Sequence, residues 1–219
     1  MRVAAEAATL ERPSLRGLLH AAAFVVSVAV GAVFVAYAPA GHVLGAAIFA
    51  ATASLMLGTS ALYHVVTWSP GPRLWMRRAD HAALFVLIAG TCTPVALYGL
   101  DGAWRTTVLA VVWGGAVLAG LAKFAWVGSP RWLSIALGIG LGWTAVAALP
   151  QIAHSEGISP IVLLLLGGLA YTSGAAVYGA RRPNPAPRVF GYHEVFHALT
   201  IVALALHYVA IAVYVVHAT

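Results

Sequence analysis

Two histidines four residues apart stand in Gly191-Tyr192-His193-Glu194-Val195-Phe196-His197, at the start of the last apolar segment of the chain. On a helix this spacing puts both imidazoles on one face, one turn apart, where they can reach a single metal ion. The same residues spell H-E-x-x-H, a pattern that in metalloproteases joins two zinc ligands to a glutamate base. A metal needs at least one more ligand. The best candidate is His64, in Thr59-Ser60-Ala61-Leu62-Tyr63-His64 at the end of an earlier apolar segment. Three neutral imidazoles from two helices hold a tetrahedral ion with the fourth position left for water, and nitrogen donors favour zinc. Water on such an ion ionises near a pKa of about 7, and a carboxylate beside it can take and return the proton. Asp80 is the candidate for that role. Ser60, one turn before His64 on the same helix face, places a hydroxyl within reach of the water, of Asp80 or of a substrate carbonyl.

Each of these residues has a plainer reading. The three histidines can satisfy one another as polar contacts between helices. Asp80 can pair with Arg77 or Arg78 at the interface, and Ser60 can bond back to its own helix. Glu194 lies about 100° round the helix from His193 and is expected at the interface rather than at the metal. His20, His42, His81, His154, His207 and His217 have no partner at metal-ligand spacing and are read as non-ligands, although His81 adjoins Asp80. The single cysteine, Cys92, lies in an apolar segment as a small core residue and excludes an intrachain disulfide.

Helices must position these groups, and composition says in what solvent. Of the 219 residues, 62% are hydrophobic and 8% charged, against roughly a quarter charged in soluble domains. From Gly17 to Pro72 there is no Asp, Glu, Lys or Arg. A helix crosses the hydrocarbon in about 20 residues, so that run must hold two spans. The pattern predicts an all-α membrane protein, a seven-transmembrane helix bundle. Its spans are expected near Gly17–Tyr37, His42–Thr67, Asp80–Leu100, Trp104–Trp126, Trp132–Pro150, Ser159–Ala180 and Tyr192–Val216. Residues 1–16 read as a short basic cytoplasmic leader and 17–219 as a single seven-helix domain. Trp68-Ser69-Pro70-Gly71-Pro72 is expected to end the second span. Pro94 is expected to kink the third, with Thr91 and Thr93 satisfying the freed carbonyls. Lys123 and Arg105 are expected to snorkel to opposite interfaces, and Gly138 with Gly142 to let a neighbouring helix approach closely.

The net charge of +6 comes from basic residues gathered in the connections, which points to membrane orientation and not to nucleic acid. Arg2, Arg12, Arg16, Arg73, Arg77, Arg78, Lys123, Arg131, Arg181, Arg182 and Arg188 fall on one side, and Arg105 alone on the other. The amino terminus is therefore expected in the cytoplasm and the carboxyl terminus outside, in a multi-pass protein of the cell (plasma or inner) membrane. The same reasoning puts Ser60, His64, Asp80, His193 and His197 at one depth, on the cytoplasmic side.

Four stretches together, Ser60-Ala-Leu-Tyr-His64, Arg78-Ala-Asp80-His81, Ile88-Ala-Gly-Thr-Cys-Thr-Pro94 and His193-Glu-Val-Phe-His197, resemble the hemolysin III family. These are bacterial relatives of the adiponectin and progestin receptors, and the resemblance runs over essentially the whole chain. It implies a seven-helix fold with a cytoplasm-side zinc bound by His64, His193 and His197, and with Asp80 and Ser60 beside the zinc water. Related receptors and alkaline ceramidases imply hydrolysis of lipid amides. The expectation is thus a zinc-dependent intramembrane hydrolase of a lipid amide or ester that serves membrane homeostasis, with a membrane lipid as its partner. A sensor braced by structural zinc, a cytolytic pore and a metalloprotease are the alternatives. Reporter fusions after Arg16 and after Thr219 should report opposite sides of the membrane; finding both in the cytoplasm would refute the count of seven spans.

Overall fold

In the computed structural model, residues 13–217 are described, and all the regular structure among them is helical apart from one isolated bridge between Ala186 and Phe190. Arg2 and Arg12 of the expected leader lie outside these residues, as do the side chains of His154 and His217. The helices are α1 (Leu18–Tyr37), α2 (Val43–Val65), α3 (Pro70–Gly99), α4 (Gly102–Ala125), α5 (Arg131–Trp143), α6 (Leu149–Glu156), α7 (Ile158–Ala180) and α8 (Tyr192–His217). A 3-10 stretch, Thr144–Ala148, joins α5 to α6. Seven segments are long and apolar enough to cross a membrane, the fifth made of α5, the 3-10 stretch and the start of α6. The chain is a multi-pass membrane bundle.

Neighbours in sequence are neighbours in space. α1 packs on α2, α2 on α3, α3 on α4, and α7 on α8, while contacts of α8 with α1 close the ring. α3 also touches α5, α6 and α8 and is the most buried span. Phe85, Leu87, Ala89, Val95 and Ala96 of α3 meet Phe49, Ala53 and Leu57 of α2 and Val108 and Val112 of α4 in one core. The outward faces are apolar too, with Val25, Val33, Leu118 and Leu121 exposed as lipid requires.

Three local expectations are corrected. Pro70 and Pro72 do not separate the second span from the third; they start α3, because proline fits the first helical turn, where its missing N–H has no partner to lose. Arg73, Arg77 and Arg78 are therefore helical and stand in line with Asp80 rather than in a loop. The fifth span is not one helix. Three glycines in five residues weaken its ladder, and the Thr144 hydroxyl donates to the Gly140 carbonyl, 3.1 Å away, where the helix tightens to 3-10. Gly138 and Gly142 do not seat a neighbouring helix; nothing lies within 4 Å of a Cβ at Gly142, and both residues line a cavity.

One helix approach that does need glycine is at Gly90, where a Cβ would collide with the Thr52 side chain of α2. α3 runs unbroken through Pro94. Thr91 and Thr93 donate to the Leu87 and Ala89 carbonyls at 2.8 and 2.7 Å; the carbonyl four residues before Pro94 belongs to Gly90, so the hydroxyls brace the flanking turn instead. Trp113 of α4 donates to the Thr93 hydroxyl at 3.0 Å, which fixes α4 to the same turn. Gly90→Val should lower stability by about 1–3 kcal/mol through overpacking, whereas Gly140→Ala, with open space around it, should be neutral or stabilising by up to about 1 kcal/mol. Thermal unfolding of both variants in detergent checks the contrast.

Candidate metal centre

The basic end of the bundle gathers the histidines. His64 occupies the last turn of α2, while His193 and His197 occupy the first two turns of α8. One nitrogen from each lies within 4.8 Å of the others, a group able to hold a metal ion. The Nε2 atoms of His64 and His193 are 3.2 Å apart. Two ligands at a metal–nitrogen distance of about 2.0–2.1 Å in tetrahedral geometry stand about 3.3 Å apart, so this edge has the length a metal requires. The three rings lie against one another, with centroid separations of 4.7 Å (His64–His193), 5.1 Å (His64–His197) and 4.5 Å (His193–His197).

The start of α8 is held by three separate bonds. Gly191 precedes the helix, and its N–H donates to Glu194 Oε2 at 2.8 Å, the reach-back of a capping box. The Tyr192 N–H donates to Asn184 Oδ1 at 3.0 Å. The other Glu194 oxygen accepts from Arg16 Nε in an ion pair in which the glutamate is 1% exposed. Glu194 is thus neither interfacial nor aimed at the histidines. It is a buried cap, and the H-E-x-x-H of this chain lacks the metal-facing base of a metalloprotease.

Asp80 and Ser60 join the cluster. Both line the cavity that contains the three histidines, and the Asp80 carboxyl is hydrogen-bonded to the Ser60 hydroxyl. Among the described residues no ion pair links Asp80 to Arg77 or Arg78; Arg78 lies over the Trp75 ring instead, 4.7 Å from its centroid. Ser60 does not bond back to its own helix: its Oγ sits 2.8 Å from His20 Nδ1.

His20 is the residue that sequence reasoning missed. It is 2% exposed and stacks on His197, with centroids 3.8 Å apart and planes 5° from parallel. The signal was present: His20 is three residues into the first span, at the depth already assigned to the cluster. Spacing arguments excluded it for want of a partner in sequence. Gly17 makes the approach possible, since its φ of +82° suits glycine and a Cβ there would fall 2.6 Å from His64 Cβ. His207 lines the same cavity outside the three-histidine group, its Nε2 3.2 Å from the Leu164 carbonyl oxygen, and His42 lies tilted against Tyr98.

The histidines form part of the wall of a cavity of about 530 Å³, within the range of small-molecule sites. One part of the wall is apolar, with Met56, Phe85, Leu87, Ile88 and Ile139. The basic end of the same cavity includes Lys123, which is 4% exposed and donates to Ser129 Oγ. Lys123 therefore turns inward and does not snorkel.

Comparison with known proteins identifies the family of the chain. The model of a family described as haemolysin-III related matches residues 8–208. The chain is 27% identical over 180 residues to the Hemolysin-3 homolog of Bacillus subtilis (strain 168), covering 82% of this chain and 81% of that one. It is 33% identical over 99 residues to Hemolysin-3 of Bacillus cereus, covering 45% of each.

The structural role of Glu194 makes a prediction. Arg16→Ala strands a buried carboxylate and should cost about 3–5 kcal/mol. Adding Glu194→Gln should recover much of that loss, because the amide oxygen still accepts from Gly191. Melting temperatures of the single and double variants measure the recovery; an additive loss would mean that the two side chains act independently.

Proposed function

The chain belongs to the haemolysin-III-related family, and we propose that it is a zinc-dependent intramembrane hydrolase acting on a lipid amide or ester in membrane homeostasis. The observation that carries the reading is the meeting of three histidine nitrogens within 4.8 Å, on a cavity that also presents Asp80 and Ser60 and has an apolar wall. Zinc, when bound by His64, His193 and His197, supplies a Lewis acid and lowers the pKa of a water it holds to about 7.

The chain's own residues supply the rest. Asp80 accepts a proton from the attacking water and delivers it to the leaving amine or alcohol, so that the acyl C–N or C–O bond breaks as water adds across it. Ser60 orients the Asp80 carboxyl through their hydrogen bond and steadies His20 through the other. His20, flat against His197, fixes the plane of that ring. Phe85, Leu87 and Ile88 give an acyl chain an apolar wall and keep bulk water out. The excess of arginine at this end supports a cytoplasmic placement, which would present the centre to lipids of the inner leaflet.

The relatives' names carry hemolysin, but conduction requires a continuous polar path. Away from the basic end the core of the described residues is Phe49, Leu100, Val108, Val112 and Ile211, which favours a closed bundle over a pore.

The purified protein should contain about one zinc per chain. His197→Ala should lose the metal, whereas Asp80→Ala should keep most of it, since the loss of a group behind the ligands costs about 10–100-fold in affinity. Both should abolish turnover. The test compares the lipids of cells making wild-type and Asp80→Ala protein at equal abundance, then follows any altered lipid with purified protein. With zinc present but no Asp80-dependent product, a zinc-braced membrane sensor replaces the hydrolase.

A further inference from the structure

The cavity has a cationic end that the proposed hydrolysis leaves unused. Arg77, Lys123, Arg131 and Arg181 line it, and the carboxylate that shares the lining, Asp80, forms an ion pair with none of them among the described residues. Among the described residues the ion pairs are Arg16–Glu194 and Arg105–Asp101, so none of these four cations has a carboxylate partner. Arg77 and Arg181 are exposed and Arg131 half-exposed, as a mouth requires. Their presence alone would be explained by membrane orientation.

Lys123 would not. It lies close to the end of α4, where a four-carbon stem easily carries an ammonium out to water. Here it is buried on the cavity wall, and its only hydrogen bond among the described residues goes to the Ser129 hydroxyl. An ammonium has three protons to donate and the Ser129 hydroxyl takes one, so the charge is left without a counter-ion among the described residues. Arg77 lines the same cavity and adds to its positive charge. Arg131 is held across the Tyr178 ring, 4.9 Å from its centroid, so a second cation is fixed in orientation beside the same space. No carboxylate among the described residues forms an ion pair with these cations.

We propose that this mouth binds the phosphate of an anionic lipid headgroup, with the acyl chain running along the apolar wall past the histidines. Lysine supplies a point charge and arginine a planar fork, the combination that recognises phosphate oxygens. A soluble phosphate would meet the same cations but leave the apolar wall uncovered; a neutral lipid would cover the wall and leave Lys123 without a counter-charge. The inference rests on the reading that the cavity takes a lipid, and it narrows the substrate class to phosphate-bearing acyl lipids.

The test reads binding and needs neither zinc nor turnover, so it stands whether or not hydrolysis is found. Full-length protein in a neutral detergent is titrated with palmitoyl-oleoyl phosphatidic acid, with the matching diacylglycerol and with inorganic phosphate, and its melting temperature is followed. Phosphatidic acid should stabilise at concentrations where the other two do not. Lys123→Met should weaken that effect by about tenfold or more, the worth of one charge-assisted hydrogen bond, and Arg131→Gln should weaken it in the same sense, both with wild-type metal content. If Lys123→Met does not fold, Arg131→Gln and Arg77→Gln decide. Equal stabilisation by diacylglycerol, equal stabilisation by inorganic phosphate, or unchanged phosphatidic acid binding in the folded variants would each overturn the proposal.

Discussion

A buried ion pair between the two ends of the chain governs the rest of the structure. Arg16 precedes the first span and Glu194 belongs to the first turn of the last, 178 residues away. Their contact, with the bonds from the Ser14 and Leu15 N–H groups to the carbonyls of Arg188 and Val189, ties the first and last spans together at the end that carries the histidines. In lipid there is no hydrophobic force to drive helices together, so specific polar contacts and close packing must do it. Here one glutamate caps the helix that carries two histidines and also anchors the helix that carries a third imidazole against them. The anchor adds to the packing of α1 on α2 that holds His20 against His197 and beside Ser60.

The ring also explains how a polar cluster persists in an apolar medium. Asp80, Ser60, His20 and the three candidate ligands contact one another and face inward, while the lipid-facing residues of α1 and α4 are valine and leucine. Polar groups inside a membrane are costly when alone and tolerable when each satisfies the next. The Gly90 contact brings α3 close to α2, which sets Asp80 on α3 beside Ser60 on α2.

Much of this was legible in sequence, because the membrane imposes simple rules. Helix lengths follow from hydrocarbon thickness, and the depth shared by His64, Asp80, His193 and His197 follows from counting crossings. What was not legible depends on who meets whom across the bundle. The His20 stack arises from a helix neighbour set by ring closure, which no spacing in the chain encodes. The inward turn of Lys123 depends on a cavity, and cavities are properties of the assembled helices. Glu194 was misplaced because an angle on a helical wheel says which way a side chain points but not whether protein or water lies there. Pro70 and Pro72 were read as an ending when they are a beginning: the same missing N–H suits both, and only the residues that follow decide.

The pairing of the two termini bears on how the protein is made. At a synthesis rate of about 5–20 residues per second, α8 follows α1 by on the order of ten seconds or more. During that interval the first helix has entered the bilayer with His20 unstacked and Arg16 without its glutamate. The three-histidine group is not assembled until then either, since two of its three imidazoles arrive with the final helix. A truncated product stopped in any earlier loop therefore exposes a histidine-bearing face that nothing in the chain yet covers.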